Sequence, residues 1–280
     1  MAEAEAKAQG TVGETTAAGL VQYRVADGIA LLTLNDPPAN TYTYEMMQEL
    51  DRSILAARMD EEVQVIVITG GGEKFFSAGA NIRTLSEMTP TFKYFFCLHA
   101  NETLSRLEQT PKLVIAALNG HTVGGGLEVA MAADLRLARK GAGKMGLPEI
   151  SLGVLPGTGG TQRLVRIVGK SRAIELMTTG ELFDFERGQE LGLINHIYEA
   201  ETGELFMEQV MDYARRFTLP HRAARAVGRI KRSVQSGAEI PFEYALALER
   251  ELQQQLFQSE DAQEGLDAYV NKRKAQFKGR

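Results

Sequence analysis

Short apolar runs alternate with longer amphipathic stretches over the first two thirds of the chain. The runs have the lengths and compositions that are typical of strands, and they are residues 20–25, 29–35, 63–69, 113–118 and 135–138. An Asp27-Gly28 pair predicts a hairpin turn between the first two. Residues 43–59 and 91–109 carry apolar positions at helical spacing. This alternation predicts an α/β core, with the third and fourth runs buried on both faces of a sheet.

The pattern changes in the last third of the chain. Four amphipathic segments follow one another and predict helices, namely residues 202–217, 220–234, 241–258 and 262–276. Pro220 and Pro241 are expected in first turns, where proline is tolerated. We therefore predict an α/β core over residues 20–200 and a helical region over residues 201–280. Residues 1–19, mostly Ala, Glu, Gly and Thr, are predicted to be a disordered tail without the features of a targeting leader.

Composition adds three exclusions. The chain has 280 residues, of which 44% are apolar and 24% charged, which is ordinary for a globular protein. Its 31 basic and 36 acidic residues leave a net charge of −5, which argues against a dedicated nucleic-acid binder. Cys97 is the single cysteine, so no internal disulfide can form and a cytoplasmic location is expected. No apolar run approaches the roughly 20 residues of a membrane span, so no membrane partner is expected.

Two common kinds of site are not predicted. The four histidines are scattered without metal-ligand spacing, so we expect no metal site. Residues 141–146 match the G-x-G-x-x-G pattern of dinucleotide-binding loops. However, Pro148 follows where a helix should run, and no acidic residue stands about 20 positions further on. We interpret this segment as a flexible loop that does not bind a nucleotide.

Three other segments carry candidate chemistry. Residues 76–82 (F-S-A-G-A-N-I) follow a buried strand, and their small side chains let a ligand approach the backbone N–H groups. Residues 119–128 (N-G-H-T-V-G-G-G-L-E) place three glycines before a helix with Glu128 in its first turn. Glu149 lies among apolar neighbours, which favour a raised pKa. Taken one at a time, the three segments have simpler interpretations: a tight connection between a strand and a helix, an acid that complements a helix dipole, and an acid in a surface loop. Together, two carboxylates and two N–H sites suit general acid–base chemistry beside an enolate.

The same segments, in the same order, resemble the enoyl-CoA hydratase/isomerase (crotonase) family. The resemblance covers about residues 21–280 and extends through residues 147–164 (L-P-E-I-S-L-G-V-L-P-G-T-G-G-T-Q-R-L). It implies an α/β fold, the crotonase-like superhelix of ββα units, with a C-terminal helical region that builds trimers, often paired into hexamers. It also implies an acyl-CoA thioester as the substrate, and a homotrimer or hexamer as the assembly.

Residue roles follow from the resemblance position by position. Ala80 and Gly125 match the residues whose backbone N–H groups form the oxyanion hole, and Glu128 and Glu149 match the two catalytic glutamates. Positions near the coenzyme A moiety, two of them reaching a neighbouring subunit's ligand, are matched by Lys74, Ala78, Arg83, Tyr269 and Lys272. Residues expected to line the acyl pocket are Met88, Phe92, Phe96, Leu147 and Leu155.

The implied reaction is syn addition of water to a 2-enoyl-CoA, because both glutamates are present. Glu128 would activate the water and Glu149 would protonate Cα, with no metal or redox cofactor and with coenzyme A present only as part of the substrate. The alternatives within the family are an isomerase, which often keeps only the acid at Glu149, a hydrolase and a decarboxylase. Two positions depart from the family pattern: Asn81 stands where Asp is common, and Leu147 stands where Gln is often found.

A different class of function is a non-catalytic relative that binds coenzyme A or RNA. Its support is a basic stripe at helical spacing, formed by Arg222, Arg225, Arg229 and Arg232. The simpler interpretation is a solvated helix face, with Ile230 and Val234 among the apolar residues on the other side. The acidic net charge favours that interpretation, so we expect no nucleic-acid partner.

Overall fold

The computed structural model describes residues 19–280, so the predicted tail lies outside the described residues except for Gly19. Within this range there are ten strands. They are β1 (Val21–Ala26), β2 (Ile29–Leu34), β3 (Val65–Gly70), β4 (Phe75–Ser77), β5 (Leu113–Leu118), β6 (His121–Val123), β7 (Leu135–Arg139), β8 (Lys144–Gly146), β9 (Phe183–Asp184) and β10 (His196–Tyr198).

The same residues form eleven α-helices and one 3₁₀ segment, Glu149–Leu152. The helices are α1 (Tyr44–Met59), α2 (Ile82–Glu87), α3 (Pro90–Gln109), α4 (Gly125–Met131), α5 (Gly160–Val168), α6 (Lys170–Thr179), α7 (Phe185–Glu190), α8 (Gly203–Arg215), α9 (Ala224–Gly237), α10 (Phe242–Phe257) and α11 (Glu260–Val270).

The larger sheet has six strands in the order β1-β2-β3-β5-β7-β10. β1 and β2 form an antiparallel hairpin, and the remaining neighbours are parallel. All six residues of β3 are buried, because alternate side chains enter two different cores. Ile66 and Ile68 pack in the core that includes α1 and α3, whereas Val65 and Val67 pack against Phe206 of α8. This explains why the run reads as continuously apolar.

The smaller sheet has four short strands in the order β4-β6-β8-β9. Each of β3, β5 and β7 is followed within a few residues by one of its strands, β4, β6 or β8. A helical segment then follows, namely α2, α4 or the 3₁₀ segment with α5. This repetition confirms the predicted ββα units, and it places the three turns that enter those helical segments beside one another.

The five predicted strands of the core are confirmed, and the short strands of the smaller sheet were missed because three residues or fewer show no periodicity. One interpretation was wrong: residues 144–146 are not part of a flexible loop but form β8. β8 pairs with β6 on one side and with β9 on the other. Local glycine content favoured a loop, and tertiary pairing overrode it.

Two predictions about the C-terminal helices were also wrong. Pro220 lies outside a helix, and α9 begins at Ala224. The last helix ends at Val270 rather than at residue 276. Beyond it the chain turns back, and the backbone N–H groups of Lys278 and Gly279 donate to the carboxylate of Asp261 at 2.7 and 2.8 Å. Those two hydrogen bonds hold the C-terminal residues against the start of α11.

The helix that carries the basic stripe packs differently from the prediction. Ile230 and Val234 are 62% and 65% exposed, so they do not face the core. The buried positions are Gly228, which lies against the carbonyl of Pro111, and Lys231, which forms an ion pair with Asp134. A glycine and a paired lysine gave no apolar signal, so the buried face could not be read from periodicity.

Within residues 19–280, no helix combines the length and the apolar character that crossing a membrane requires.

Candidate active site

Two backbone segments meet at the start of α4. Gly79 adopts φ +81°, and a Cβ atom built on it would lie only 2.6 Å from the backbone nitrogen of Gly125. Glycine is therefore required at position 79 both for its backbone conformation and for this close approach. The contact brings the turn that ends with Ala80 directly against the first turn of α4.

The N–H groups of Ala80 and Gly125 are available to a ligand. Ala80 lies in a bridge with Tyr42 in which Tyr42 exchanges hydrogen bonds with Gly79 and Asn81, so the N–H of Ala80 is left over. Within the described part of the chain, neither the Ala80 N–H nor the Gly125 N–H donates a hydrogen bond to protein. Two unpaired donors on adjoining segments suit an oxygen that gains negative charge.

Glu128 lies in the first turn of α4 and is 1% exposed. Its Oε1 accepts hydrogen bonds from the backbone N–H groups of Thr158 and Gly160 at 2.8 and 2.7 Å. The hydroxyl of Thr158 also hydrogen-bonds to Oε2. Burial raises the pKa of Glu128, while the three hydrogen bonds and the charge of Arg163 oppose the rise. Because Gly160 begins α5, the carboxylate also faces the positive end of that helix.

Glu149 begins the 3₁₀ segment and lies over the turn that enters α4. A Cβ atom on Gly124 would be 3.1 Å from Glu149 Oε1. Its Oε2 is buried and has no hydrogen-bond partner among the described residues. Burial raises the pKa of Glu149 to about 7, the charge of Glu128 adds to the rise, and the charge of Lys93 opposes it. Sequence reasoning predicted the raised pKa from the apolar neighbours.

The two carboxyl groups are therefore inequivalent. Glu128 accepts three hydrogen bonds that oppose the rise in its pKa, whereas Oε2 of Glu149 has no partner among the described residues and the pKa of Glu149 is raised to about 7. A protonated and an ionised carboxyl in one site is the arrangement that lets one group donate a proton while the other accepts one.

Two asparagines hold the turn that leads to Ala80. The side-chain amide of Asn40 donates to the carbonyls of Gly71 and Phe75, each at 2.9 Å. That of Asn119 donates to the carbonyls of Gly70 and Gly72 at 2.9 and 2.8 Å. Asn119 belongs to a motif singled out in the sequence. Asn40 was missed, although its place shortly after two prolines was a signal for a structured turn.

A family model described as enoyl-CoA hydratase/isomerase matches residues 24–280 of the chain. The chain belongs to the enoyl-CoA hydratase/isomerase family. A probable enoyl-CoA hydratase of Bacillus subtilis (strain 168) is 36% identical over 260 residues, 92% of this chain and 98% of the relative. The short-chain-enoyl-CoA hydratase of Clostridium acetobutylicum is 37% identical over 254 residues, 90% of this chain and 95% of the relative.

Solved structures agree with the sequence comparison. The enoyl-CoA hydratase structure from Geobacillus kaustophilus HTA426 matches with a TM-score of 0.89 at 43% identity, and it covers 94% of this chain and 97% of that one. The protein therefore has the crotonase fold, which confirms the predicted fold class.

The acyl-pocket candidates of this family member fall into two groups. Phe96 is 2% exposed and packs edge-on against Tyr42, with ring centroids 5.8 Å apart. Leu147 is also buried, and Met88 packs against the same core. Phe92 is 44% exposed and Leu155 67% exposed. The structure thus places Phe96 next to the proposed oxyanion site through Tyr42, and it leaves Phe92 and Leu155 on the surface of this single chain.

The coenzyme A candidates are dispersed. Ala78 is half-buried, and its carbonyl would lie 3.9 Å from a Cβ atom on Gly124. Lys74 and Arg83 are exposed on either side of that turn. Tyr269 is 87% exposed near the end of α11, and Lys272 is exposed just beyond it. Contacts of these last two with another subunit's ligand stay a prediction.

Three residues near the site were missed by sequence reasoning. Tyr42 is buried, and its hydroxyl would lie 2.3 Å from a Cβ atom on Gly125. Thr158 contacts Glu128, as described above. Lys93 places its Nζ 5.4 Å from the ring centroid of Phe96 and lies near enough to influence Glu149. None of the three could be singled out from its local sequence, because each reaches the site by tertiary packing.

No group of three or more His, Cys, Asp and Glu side chains that could hold a metal ion occurs in residues 19–280.

Proposed function

We propose that the protein is an enoyl-CoA hydratase that adds water to a 2-enoyl-CoA and forms a 3-hydroxyacyl-CoA. The observation that carries the proposal is the pair of inequivalent carboxyl groups beside two unpaired backbone N–H groups. Membership of the family supports an acyl-CoA thioester as the substrate.

The thioester oxygen binds between the N–H groups of Ala80 and Gly125. As the nucleophile attacks Cβ, negative charge moves onto that oxygen, and both hydrogen bonds strengthen. Removing one donor of this kind commonly costs about 3–4 kcal/mol of transition-state stabilisation. Lys74, Ala78 and Arg83 hold the coenzyme A moiety, and no separate cofactor takes part.

The two glutamates divide the proton transfers. Glu128 accepts a proton from the water as its oxygen bonds to Cβ, and Glu149 gives its proton to Cα of the enolate. One water is thereby added, with both new bonds on the same face. The proton left on Glu128 returns to Glu149 through solvent and restores the starting state. Migration of a double bond would need only one carboxyl group, whereas addition of water uses one group to accept a proton and another to donate one, so the presence of two carboxyls favours hydration over isomerisation.

The test is hydration of crotonyl-CoA, followed as loss of the conjugated-thioester absorbance with chromatographic identification of the product. We expect 3-hydroxybutyryl-CoA. A β,γ-unsaturated thioester as the product from a longer enoyl-CoA would replace hydration by isomerisation, and free coenzyme A would indicate hydrolysis. The same assay is then run on a panel of enoyl-CoA substrates with linear, branched, aromatic and carboxylate-bearing acyl groups. The panel is this broad because Phe96 offers an apolar contact and Lys93 a cationic one.

We also propose that the chain works as a homotrimer or as a hexamer. Support comes from large apolar side chains that the C-terminal helices leave exposed in the single chain, namely Phe242, Tyr244, Phe257, Tyr269 and Val270. Light scattering on the active protein tests this, and a fully active monomer would contradict it.

The proposed roles predict a fall of kcat/KM as pH rises through about 7, the pKa of Glu149, because the proton donor is then lost. Lys93→Met is expected to move this alkaline limb of the pH–rate profile to higher pH, since the ammonium group of Lys93 lowers the pKa of Glu149 in the wild type. Lys93→Arg keeps the charge and should leave the limb in place. The measurement is kcat/KM for crotonyl-CoA between pH 5 and 10, and an unmoved limb in Lys93→Met would contradict the assignment.

A further inference from the structure

A line of buried hydroxyl groups ends at Glu128, and the proposed reaction gives these hydroxyl groups no role. The hydroxyl of Tyr42 lies 3.2 Å from Thr158 Oγ1, and the hydroxyl of Thr158 hydrogen-bonds to Glu128 Oε2. Tyr42, Thr158 and Glu128 are all buried. The line joins the segment that precedes α1, the loop before α5 and the first turn of α4, which are far apart in the chain.

The directions of these hydrogen bonds are coupled. In the described part of the chain, the Tyr42 hydroxyl has no other hydrogen-bond partner. Its proton can therefore be satisfied only by Thr158 Oγ1, and Thr158 must then give its own proton to Glu128. This arrangement is complete when Glu128 is ionised, since every buried donor then has an acceptor.

A protonated Glu128 breaks the arrangement. If the proton were on Oε2, it would point at Thr158, the Thr158 proton would turn to Tyr42, and the Tyr42 proton would lose its acceptor. If it were on Oε1, it would meet the N–H groups of Thr158 and Gly160, which already donate to that oxygen. Either way a buried donor is left unpaired, which is unfavourable in a dry site.

We propose that Tyr42 is a positioning residue whose hydroxyl, acting through Thr158, holds Glu128 ionised and in a single orientation to receive a proton from the attacking water. The inference rests on the proposed hydratase function, and it assigns Tyr42 no contact with the substrate.

Other charged and titratable groups also face this region. They are Arg163 of α5, which favours the ionised carboxylate, Glu149 of the 3₁₀ segment, which disfavours it, Lys93 beside Glu149, and Cys97 of α3, which lies near Tyr42. Arg163 is itself paired with Glu108 at 2.9 Å. None of them hydrogen-bonds to the Tyr42 hydroxyl within the described residues, so removing that hydroxyl leaves the other contributions in place.

The ring of Tyr42 has a separate role that the test must keep constant. A Cβ atom on Gly125 would lie 2.2 Å from Tyr42 Cε1, so the ring packs directly on the backbone of the proposed oxyanion site. Tyr42→Phe keeps this packing and removes only the hydroxyl. Thr158→Val similarly keeps the shape of the side chain and the backbone N–H that donates to Glu128.

The experiment is a double-mutant cycle with Tyr42→Phe, Thr158→Val and the double variant, using crotonyl-CoA hydration from pH 5 to 9. We expect kcat at pH 6 to fall about threefold to tenfold in Tyr42→Phe. A fall of about tenfold to a hundredfold is expected in Thr158→Val, the range for a lost hydrogen bond to a charged group. Both losses should shrink as pH rises, with KM little changed. The double variant should match Thr158→Val, because Tyr42 acts only through Thr158.

The cycle includes a rescue variant and a matched control, and two results would contradict the proposal. Thr158→Ser should restore most of the activity, and Thr161→Val should behave as wild type, since the Thr161 hydroxyl hydrogen-bonds only to Gln162 within the described residues. An equal loss from Tyr42→Phe in both backgrounds, or a loss independent of pH, overturns the proposal. It would show that the hydroxyl acts on packing or on the oxyanion site instead.

A second readout separates this proposal from the proposed function. Infrared titration of the Glu128 carboxyl, identified by its absence in Glu128→Gln, needs no turnover. An upward shift of its midpoint in Tyr42→Phe supports the proposal even if crotonyl-CoA is not hydrated, which would contradict only the hydratase assignment. An unchanged midpoint overturns the proposal whatever the reaction proves to be.

Discussion

Replacing Glu149 by Gln is expected to lower kcat for hydration of a 2-enoyl-CoA on the order of 10²–10⁴-fold, the usual contribution of a positioned acid or base. The amide keeps the size of the side chain but has no acidic proton to give to Cα. Binding of a saturated acyl-CoA, measured by calorimetry, should be nearly unchanged, because the proposed thioester contacts are those of Ala80 and Gly125. Glu186→Gln makes the same side-chain substitution at an exposed site on α7 and should leave kcat unaltered.

The same substitution also has a predicted effect on stability. The pKa of Glu149 is raised to about 7 in the folded protein from an ordinary 4.5. A carboxyl with a raised pKa favours the folded state below pH 4.5, and this contribution is lost as pH rises through about 7. Gln does not titrate, so Glu149→Gln should gain thermal stability relative to wild type between pH 5 and pH 8. A melting-temperature difference that stays constant over this range would contradict the raised pKa.

Gly79→Ala is expected to lower kcat on the order of 10²–10³-fold, comparable to the loss of one oxyanion donor. The new methyl group would lie 2.6 Å from the backbone nitrogen of Gly125, at a residue with φ +81°. The backbone must shift to relieve this contact, and the N–H groups of Ala80 and Gly125 would then lose the placement that the proposed oxyanion site needs. The measurement is kcat and KM for crotonyl-CoA, with the melting temperature recorded on the same samples.

Gly192→Ala separates backbone strain from disruption of the site. Gly192 has a similar φ of +78°, but a Cβ atom there would meet nothing within 4 Å. Both variants should lose some stability from the left-handed conformation, and only Gly79→Ala should lose activity. Equal losses of activity would show that general destabilisation, not the approach of two backbone segments, accounts for the effect.

Much of the fold could be predicted because burial leaves a local signal. Continuous apolar runs such as β3 and β5 are read directly as strands that are covered on both faces. Strands of two or three residues, such as β8, cannot be distinguished from loops in this way. Their pairing partners lie elsewhere in the chain and supply most of their stability.

The residues of the candidate site also fall into those with a local sequence signal and those without one. Glu128, Glu149 and the glycines beside them could be singled out from the sequence because they lie in ordered motifs. Tyr42 could not, since its hydroxyl partner, Thr158, is 116 residues further along the chain. Lys93 likewise lies near Glu149 only through the packing of α3.

The chain's residue order alone determined the family, the alternation of strands and helices, and the choice of Glu128 and Glu149 as candidate acids, because these depend on side-chain type and on spacing between neighbours. The tertiary structure decided which hydrogen bonds oppose the raised pKa of Glu128, how far the pKa of Glu149 rises, and which backbone N–H groups are left unpaired. Protonation depends on the water excluded from each carboxyl and on the donors brought to it, and both are set by segments that meet only when the chain is folded.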